Sequence, residues 1–286
     1  MGKLVELKGI SKIYSKNHVL RDITFTIEES QIIAILGGNG TGKSTILRII
    51  AGLERPSSGH VMYTKQHIRI GYVSDRFPKH LRFTPSEYLF YMGKISGESA
   101  EYLKKKIPYL LHRFQLDEVN NHRIAELSKG NIQKVSIIQA MIQKNDLLIM
   151  DEPISGLDLQ AQEELLKVLK EMKEQGTTVL LTYHETTIFE DIVEKSYCLE
   201  GGILSLISSM KREPIKLLEV TQLDYSYVKQ WEEVLHMTQI DNKMLLYVHV
   251  KHSDTILTRV LTFQGSIETV STIDLGEFEL EKIKEA

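Results

Sequence analysis

Cysteine is almost missing from this sequence: Cys198 is the single one in 286 residues. An intrachain disulfide framework is excluded, and a reducing compartment is expected. No stretch reaches the ~18–20 consecutive apolar residues that a bilayer-spanning helix needs. Met1–Glu6 carries neither the apolar core nor the small-residue cleavage site of a signal peptide, so a cytoplasmic chain is expected. An excess of one charge is missing too: 35 Lys+Arg stand against 38 Asp+Glu, a net charge of −3. General nucleic-acid binding, which rests on a basic footprint, is therefore not expected. No motif occurs twice, and no tract is of low complexity.

What is present fits a globular protein, with 42% hydrophobic and 26% charged residues. The length allows about two domains at roughly 150 residues each. Short β-rich runs stand at Leu4–Leu7, Ile23–Ile27, Ile32–Leu36, Ile70–Val73, Leu147–Met150, Thr178–Thr182 and Tyr197–Leu199. Ile32–Leu36 and Leu147–Met150 are almost wholly apolar, as parallel strands buried on both faces are. Gln160–Gln175 has Leu165, Leu166, Val168, Leu169 and Met172 at helical spacing, with Gly176 as a C-terminal stop. Strands alternating with helices predict an α/β domain over residues 1–210. From about 77 to 145 the pattern is mostly helical, punctuated by Pro78, Pro85 and Pro108, which predicts a helical insertion. Lys211–Pro214 reads as a linker into a small α+β domain over 211–286. In that tail, strands are expected at Ile215–Val220, Leu245–Val250 and Ile267–Val270. Helices are expected at Tyr227–His236, from a Ser253 cap to Leu261, and at Gly276–Ala286.

Chemistry concentrates in Gly37-Gly38-Asn39-Gly40-Thr41-Gly42-Lys43-Ser44. The segment matches G-x-x-x-x-G-K-[ST], lying between an apolar strand and a helix starting near Lys43. Its glycines let successive N–H groups turn inward toward phosphate oxygens. The helix N-terminus adds partial positive charge. Lys43 is expected on the β- and γ-phosphates and the Ser44 hydroxyl on Mg²⁺. The second element is Leu147–Met150 followed by Asp151 and Glu152. Ligands of open α/β sheets bind at the C-terminal edge of such strands. Asp151 is expected to hold Mg²⁺. Strand alternation predicts that Glu152 points to the opposite side, where it can polarise an attacking water.

These residues resemble the ATP-binding cassette (ABC) ATPases, the nucleotide-binding subunits of ABC transporters, from about Leu4 to Leu206. Tyr14 resembles the aromatic residue that stacks on adenine. Gly37–Ser44, with Thr45, resembles the phosphate loop. Asp75 falls where the family usually has glutamine. Leu127-Ser128-Lys129-Gly130-Asn131 is similar to the signature Leu-Ser-Gly-Gly-Gln, ahead of a helix expected over Asn131–Gln143. Ser155-Gly156-Leu157-Asp158 resembles the loop that communicates between subunits, and His184 the switch histidine.

The resemblance implies a P-loop ATPase that binds ATP and Mg²⁺. Lys43, Glu152 and His184 would serve hydrolysis; Ser44, Asp151 and Asp75 would stand at the metal. Ser128 and Gly130 would complete the site of a second subunit in a head-to-tail dimer. Asp75 can accept a hydrogen bond but cannot donate the amide bonds of glutamine. Lys129 and Asn131 depart from the signature and, with Gln133 and Lys134, look like bacterial drug-efflux subunits. The implied role is to power a separate membrane-spanning subunit, most simply an exporter, from the inner membrane face. A soluble ABC ATPase in translation or repair is the alternative. It would bring a second phosphate loop or a long coiled coil, and neither pattern is visible. A nonenzymatic nucleotide-sensing module is a third reading, against which the intact Lys43, Asp151, Glu152 and His184 set argues.

Overall fold

The computed structural model describes residues 2–74, 77–78, 80–183, 188–207, 215–231, 233–240 and 243–273. The chain divides into two compact units, Met1–Ser209 and Met210–Ala286. The linker residues 211–214 and the expected Gly276–Ala286 helix lie outside the described residues.

The first unit opens with two long strands, β1 (Lys3–Tyr14) and β2 (Asn17–Glu28), then β3 (Ile32–Leu36) and helix α1 (Lys43–Ile50). Next come β4 (Ser58–Tyr63), β5 (Ile70–Val73) and the helices α2 (Pro85–Ile95), α3 (Ala100–Arg113) and α4 (Lys129–Met141). The unit closes with β6 (Leu147–Met150), α5 (Leu159–Glu174), β7 (Thr178–Thr182), β8 (Lys195–Glu200) and β9 (Ile203–Ile207). An antiparallel sheet has the order β2-β1-β4, and a six-stranded sheet the order β5-β6-β7-β3-β8-β9. In the larger sheet only β9 runs antiparallel to its neighbour; the other pairings are parallel.

Burial on both faces explains the apolar runs. Ile33, Ile35, Leu147, Ile149 and Leu180 face a core shared with α1 and the antiparallel sheet. Ile32, Ala34, Leu148, Met150, Val179 and Leu181 face the core built with the helices. Successive residues on a strand point to opposite faces, so each strand must be apolar throughout. The four strands at Ile32–Leu36, Ile70–Val73, Leu147–Met150 and Thr178–Thr182 have the expected bounds. β4 and β9, unforeseen in the sequence, are short and largely solvent-facing.

The helical insertion is locally encoded. Thr84 accepts a hydrogen bond from the Glu87 N–H (3.3 Å), and Glu87 accepts one from the Thr84 N–H (2.9 Å). With Pro85 as the first helical residue, this capping box fixes the start of α2. Pro108 does not end a helix: α3 runs through it. Proline removes one helical donor, and here it stands on the exposed side, where water can serve the freed carbonyl. Arg113 ties α3 to α5, gripping both Glu171 oxygens at 2.6 and 2.9 Å and pairing with Glu164.

The second unit contains β10 (Ile215–Thr221), α6 (Tyr225–Val228), β11 (Val234–Ile240), β12 (Lys243–His249), α7 (Val250–Thr262) and β13 (Ser266–Ile273). Its antiparallel sheet has the order β11-β12-β10-β13, a split β-α-β arrangement. The expected helix over Tyr227–His236 is not formed. α6 is a single turn, and Val234 already belongs to β11, where it pairs with Val248. Ser253 does not cap α7. It is buried inside the helix and donates back to the Val250 carbonyl at 2.8 Å, because β12 runs directly into α7.

Candidate nucleotide site

The phosphate-loop residues lie between the C-terminal end of β3 and the start of α1. Gly42 sits at the N-cap of α1 with φ 107°, in the left-handed region, where a side chain would also collide with Val19 at 2.8 Å. Gly38, Asn39 and Gly40 are exposed, whereas Lys43 and Thr45 are buried and Ser44 half-buried. The Thr41 hydroxyl donates to the Gly38 carbonyl (3.0 Å), bracing the loop. Lys43 Nζ donates to the carbonyls of Gly37 (2.8 Å) and Gly38 (2.9 Å), so its charge is held at the loop. Burial lowers the pKa of the Lys43 ammonium, and the negative charges of Glu152 and Asp151 act against that shift. Both carboxylates therefore act electrostatically on the lysine.

The carboxylates follow β6, two places from β3 in the sheet, with β7 between. Asp151 is buried; its Oδ1 accepts a hydrogen bond from the Thr182 hydroxyl at 2.8 Å. Its Oδ2 is buried with no hydrogen-bond partner among the described residues. Glu152 is half-buried and has φ 48°. The strand alternation expected for it does not apply, since the chain leaves extended backbone at Glu152 itself. A left-handed turn, fastened by its N–H on Thr182 Oγ1 (3.0 Å), sets the direction of Glu152.

Tyr14 is 40% exposed at the end of β1. Its hydroxyl donates to Glu54, and Lys12 Nζ stands 5.0 Å from the ring centroid. Glu54 also receives Lys12 (2.8 Å) and Arg48 of α1 (3.0 Å). The aromatic residue is thus wired to the helix that follows the phosphate loop.

The helix carrying the signature residues begins at Lys129, earlier than Asn131, because Ser128 is its cap: Ser128 Oγ accepts from the Asn131 N–H at 3.2 Å. The oxygen is committed to the cap, and the hydroxyl proton remains for an anion. α4 holds the loop after β6 closely. Gln133 donates to the Pro153 carbonyl (3.1 Å), and Lys134 pairs with Asp158 (2.8 Å). A methyl group at Gly130 would meet the Gly156 carbonyl at 2.6 Å. Lys129, Gln133, Glu152 and Ser155 line a cleft of about 110 Å³. Asp158 also caps α5 through the Ala161 N–H (2.8 Å).

Asp75 and His184 lie outside the described residues. The sequence does not show the hydroxyl contacts of Thr182, the pairing of Lys134 with Asp158 or the Glu54 cluster. Thr182 carries a signal in retrospect: it is a hydroxyl at the carboxyl end of a buried strand. Trp231 is core of the second unit, and Cys198 is half-buried in β8.

A glycine-rich loop between a parallel strand and a helix, with a buried carboxylate at the end of a nearby strand, defines a phosphate-loop nucleotide hydrolase. Residues 20–155 match the family described as ABC transporter. Over 207 residues the chain is 34% identical to the Nod factor export ATP-binding protein I of Rhizobium johnstonii, covering 69% of this chain and 67% of that protein. It is 31% identical over 206 residues to the zinc import ATP-binding protein ZnuC of Photobacterium profundum, covering 71% and 77% respectively. A dimeric ATP-binding cassette in a post-hydrolysis state, bound to ADP and phosphate, has 25% identity and a TM-score of 0.64, covering 72% of this chain and all of that one. The chain belongs to the ABC transporter ATP-binding proteins and is the ATPase subunit of an ABC transporter. Among the described residues no helix is long and apolar enough to cross a membrane.

Proposed function

We propose that this chain hydrolyses Mg²⁺-bound ATP in a head-to-tail dimer and powers export by a separate membrane-spanning subunit at the inner face of the cell membrane. The observation that carries the catalytic part is the Lys43 ammonium held at the phosphate loop, with Asp151 and Glu152 fastened to Thr182 at the same edge of the sheet. The residues also fit a hard cation. Asp151 offers a buried oxygen that has no partner among the described residues, and Ser44 a hydroxyl at the start of α1. When bound, Mg²⁺ neutralises charge on the β- and γ-phosphates.

The chain's own groups do the rest. Tyr14 offers a ring to the adenine base. The backbone amides of Gly37–Thr45 and the Lys43 ammonium hold the phosphates. Glu152 accepts a hydrogen bond from the attacking water and orients it toward the γ-phosphorus. Ser128 and Gly130 of one subunit meet the γ-phosphate held by the other, with the N-terminus of α4 behind them. Asp158 lies on the loop that links the two sites. His184 would contact the γ-phosphate, and Asp75 would stand beside the metal or the water.

Export is favoured by Lys129 and Asn131 in the signature segment and by likeness to a Nod factor export protein. Likeness to a zinc import protein is of similar degree, so the direction rests on the signature residues. Purification of Glu152→Gln from native membranes with ATP tests the transport role. A multi-spanning protein should accompany it, and inverted vesicles holding that protein with the wild-type chain should accumulate substrate on ATP addition. ATP-driven depletion of the vesicles would overturn export, and absence of any membrane partner would overturn the transport role.

A further inference from the structure

We infer that Thr182 is the positioning residue of the hydrolytic site: its one hydroxyl determines which oxygen of Asp151 is left for the cation and holds the turn that aims Glu152. The inference rests on the roles proposed above for Asp151 and Glu152.

Thr182 is fully buried at the carboxyl end of β7. The strand pairing brings it there. β6 and β7 run parallel, with Leu147 opposite Thr178 and Met150 opposite Leu181. One further step sets Asp151 abreast of Thr182, and side chains abreast on parallel strands share a face. A hydroxyl has one proton and two lone pairs. The proton goes to Asp151 Oδ1 at 2.8 Å, and a lone pair receives the Glu152 N–H at 3.0 Å. Two consequences follow. Asp151 Oδ1 is occupied, so the partnerless oxygen, Oδ2, is the one presented as a ligand. Glu152 is kept at φ 48°, a left-handed conformation that side-chain-bearing residues seldom adopt. The β-branched side chain restricts χ1, so the hydroxyl stays aimed between the two groups. A single buried oxygen thereby separates the tasks of adjacent carboxylates: Asp151 is turned to the metal and Glu152 to the water.

Thr182→Val keeps the shape, removes the hydroxyl and leaves the Glu152 N–H unpaired; Thr182→Ser keeps the hydroxyl. In the full chain three quantities separate the cases. Without nucleotide or metal, hydrogen exchange at the Glu152 amide should be about tenfold or more faster in Thr182→Val. The Mg²⁺ concentration for half-maximal turnover should rise, with kcat falling, by about 10–100-fold, the usual range for a partner that orients a metal ligand. ATP binding in excess EDTA should stay at the wild-type Kd. Thr182→Ser should stay close to wild type in all three. If Thr182→Val does not fold, Thr182→Ala carries the same comparison against Thr182→Ser. Wild-type exchange and Mg²⁺ dependence in the hydroxyl-free variant would overturn the inference. Equal damage from Thr182→Ser would also overturn it, since packing would then be the cause. Asp151→Asn and Glu152→Gln run beside these. If both retain turnover, the assignment of the carboxylates fails and the inference with it. If both lose turnover while Thr182→Val behaves as wild type, only the inference fails.

Discussion

Lys134 Nζ lies 2.8 Å from Asp158 Oδ2, joining the signature helix to the loop that leads from Glu152 into α5. The pair is lopsided: the Lys134 side chain is 6% exposed and that of Asp158 57%. A lysine at such a depth needs its partner, whereas the aspartate keeps water.

The two halves of that pair are predicted to differ in cost. Lys134→Met keeps the packing volume and leaves Asp158 solvated and still capping α5, so the loss should be about 1 kcal/mol. Asp158→Ala strands a buried ammonium and removes a helix cap, and should cost about 3–5 kcal/mol. Thermal denaturation of the two variants checks the order. A larger loss for Lys134→Met would contradict it.

Glu54 supplies a pH signature. Burial raises the pKa of its carboxyl, but the hydrogen bonds from Lys12, Tyr14 and Arg48 outweigh this and hold it at about 2, against an ordinary value of 4.5. A depressed folded-state pKa means the unfolded chain binds the proton more readily. The stabilisation is therefore fully present above about pH 4.5 and is lost as pH falls from there toward 2. Glu54→Gln should lower the melting temperature at pH 7 and flatten its decline across that acid window. A wild-type slope in the variant would contradict the assignment.

Gly130→Ala separates a subunit's own nucleotide from its partner's. The added methyl would meet the Gly156 carbonyl at 2.6 Å, so α4 and the loop must part. The phosphate loop is untouched, and ATP Kd should be unchanged while kcat falls about tenfold or more. Parallel loss of ATP affinity would show that Gly130 serves the subunit's own site.

The second unit reports on itself. Trp231 is the single tryptophan of the chain and is 8% exposed, packed with Val248, Leu246 and Val260. Its emission should be blue-shifted and should move red only when this unit unfolds. Leu246→Ala removes a fully buried side chain and should cost about 2–5 kcal/mol. The fluorescence transition should fall accordingly; an unmoved transition would contradict the packing.

Sequence legibility followed the physics of burial. β3, β5, β6 and β7 could be bounded to the residue because strands buried in a central sheet are apolar between polar flanks. β4 escaped because Ser58, Gly59 and His60 interrupt its apolar pattern. Val228, Trp231 and Val234 mimic helical spacing, yet pairing of Val234–Ile240 with β12 overrides it. The phosphate loop and Asp151 were legible as contiguous motifs. The Thr182 hydroxyl and the Lys134–Asp158 pair were not, since contacts across 31 and 24 residues exist only once the sheet and helices are assembled.

On the proposed function, Glu152 activates water in a site completed by a second subunit. Turnover of Glu152→Gln, measured with bound nucleotide and molar mass in solution, tests it most directly. The expected result is a kcat reduced about 10²–10⁴-fold, with ATP retained and the chain shifted to a dimer by ATP. Near-normal turnover, or a monomer holding unhydrolysed ATP, would contradict it.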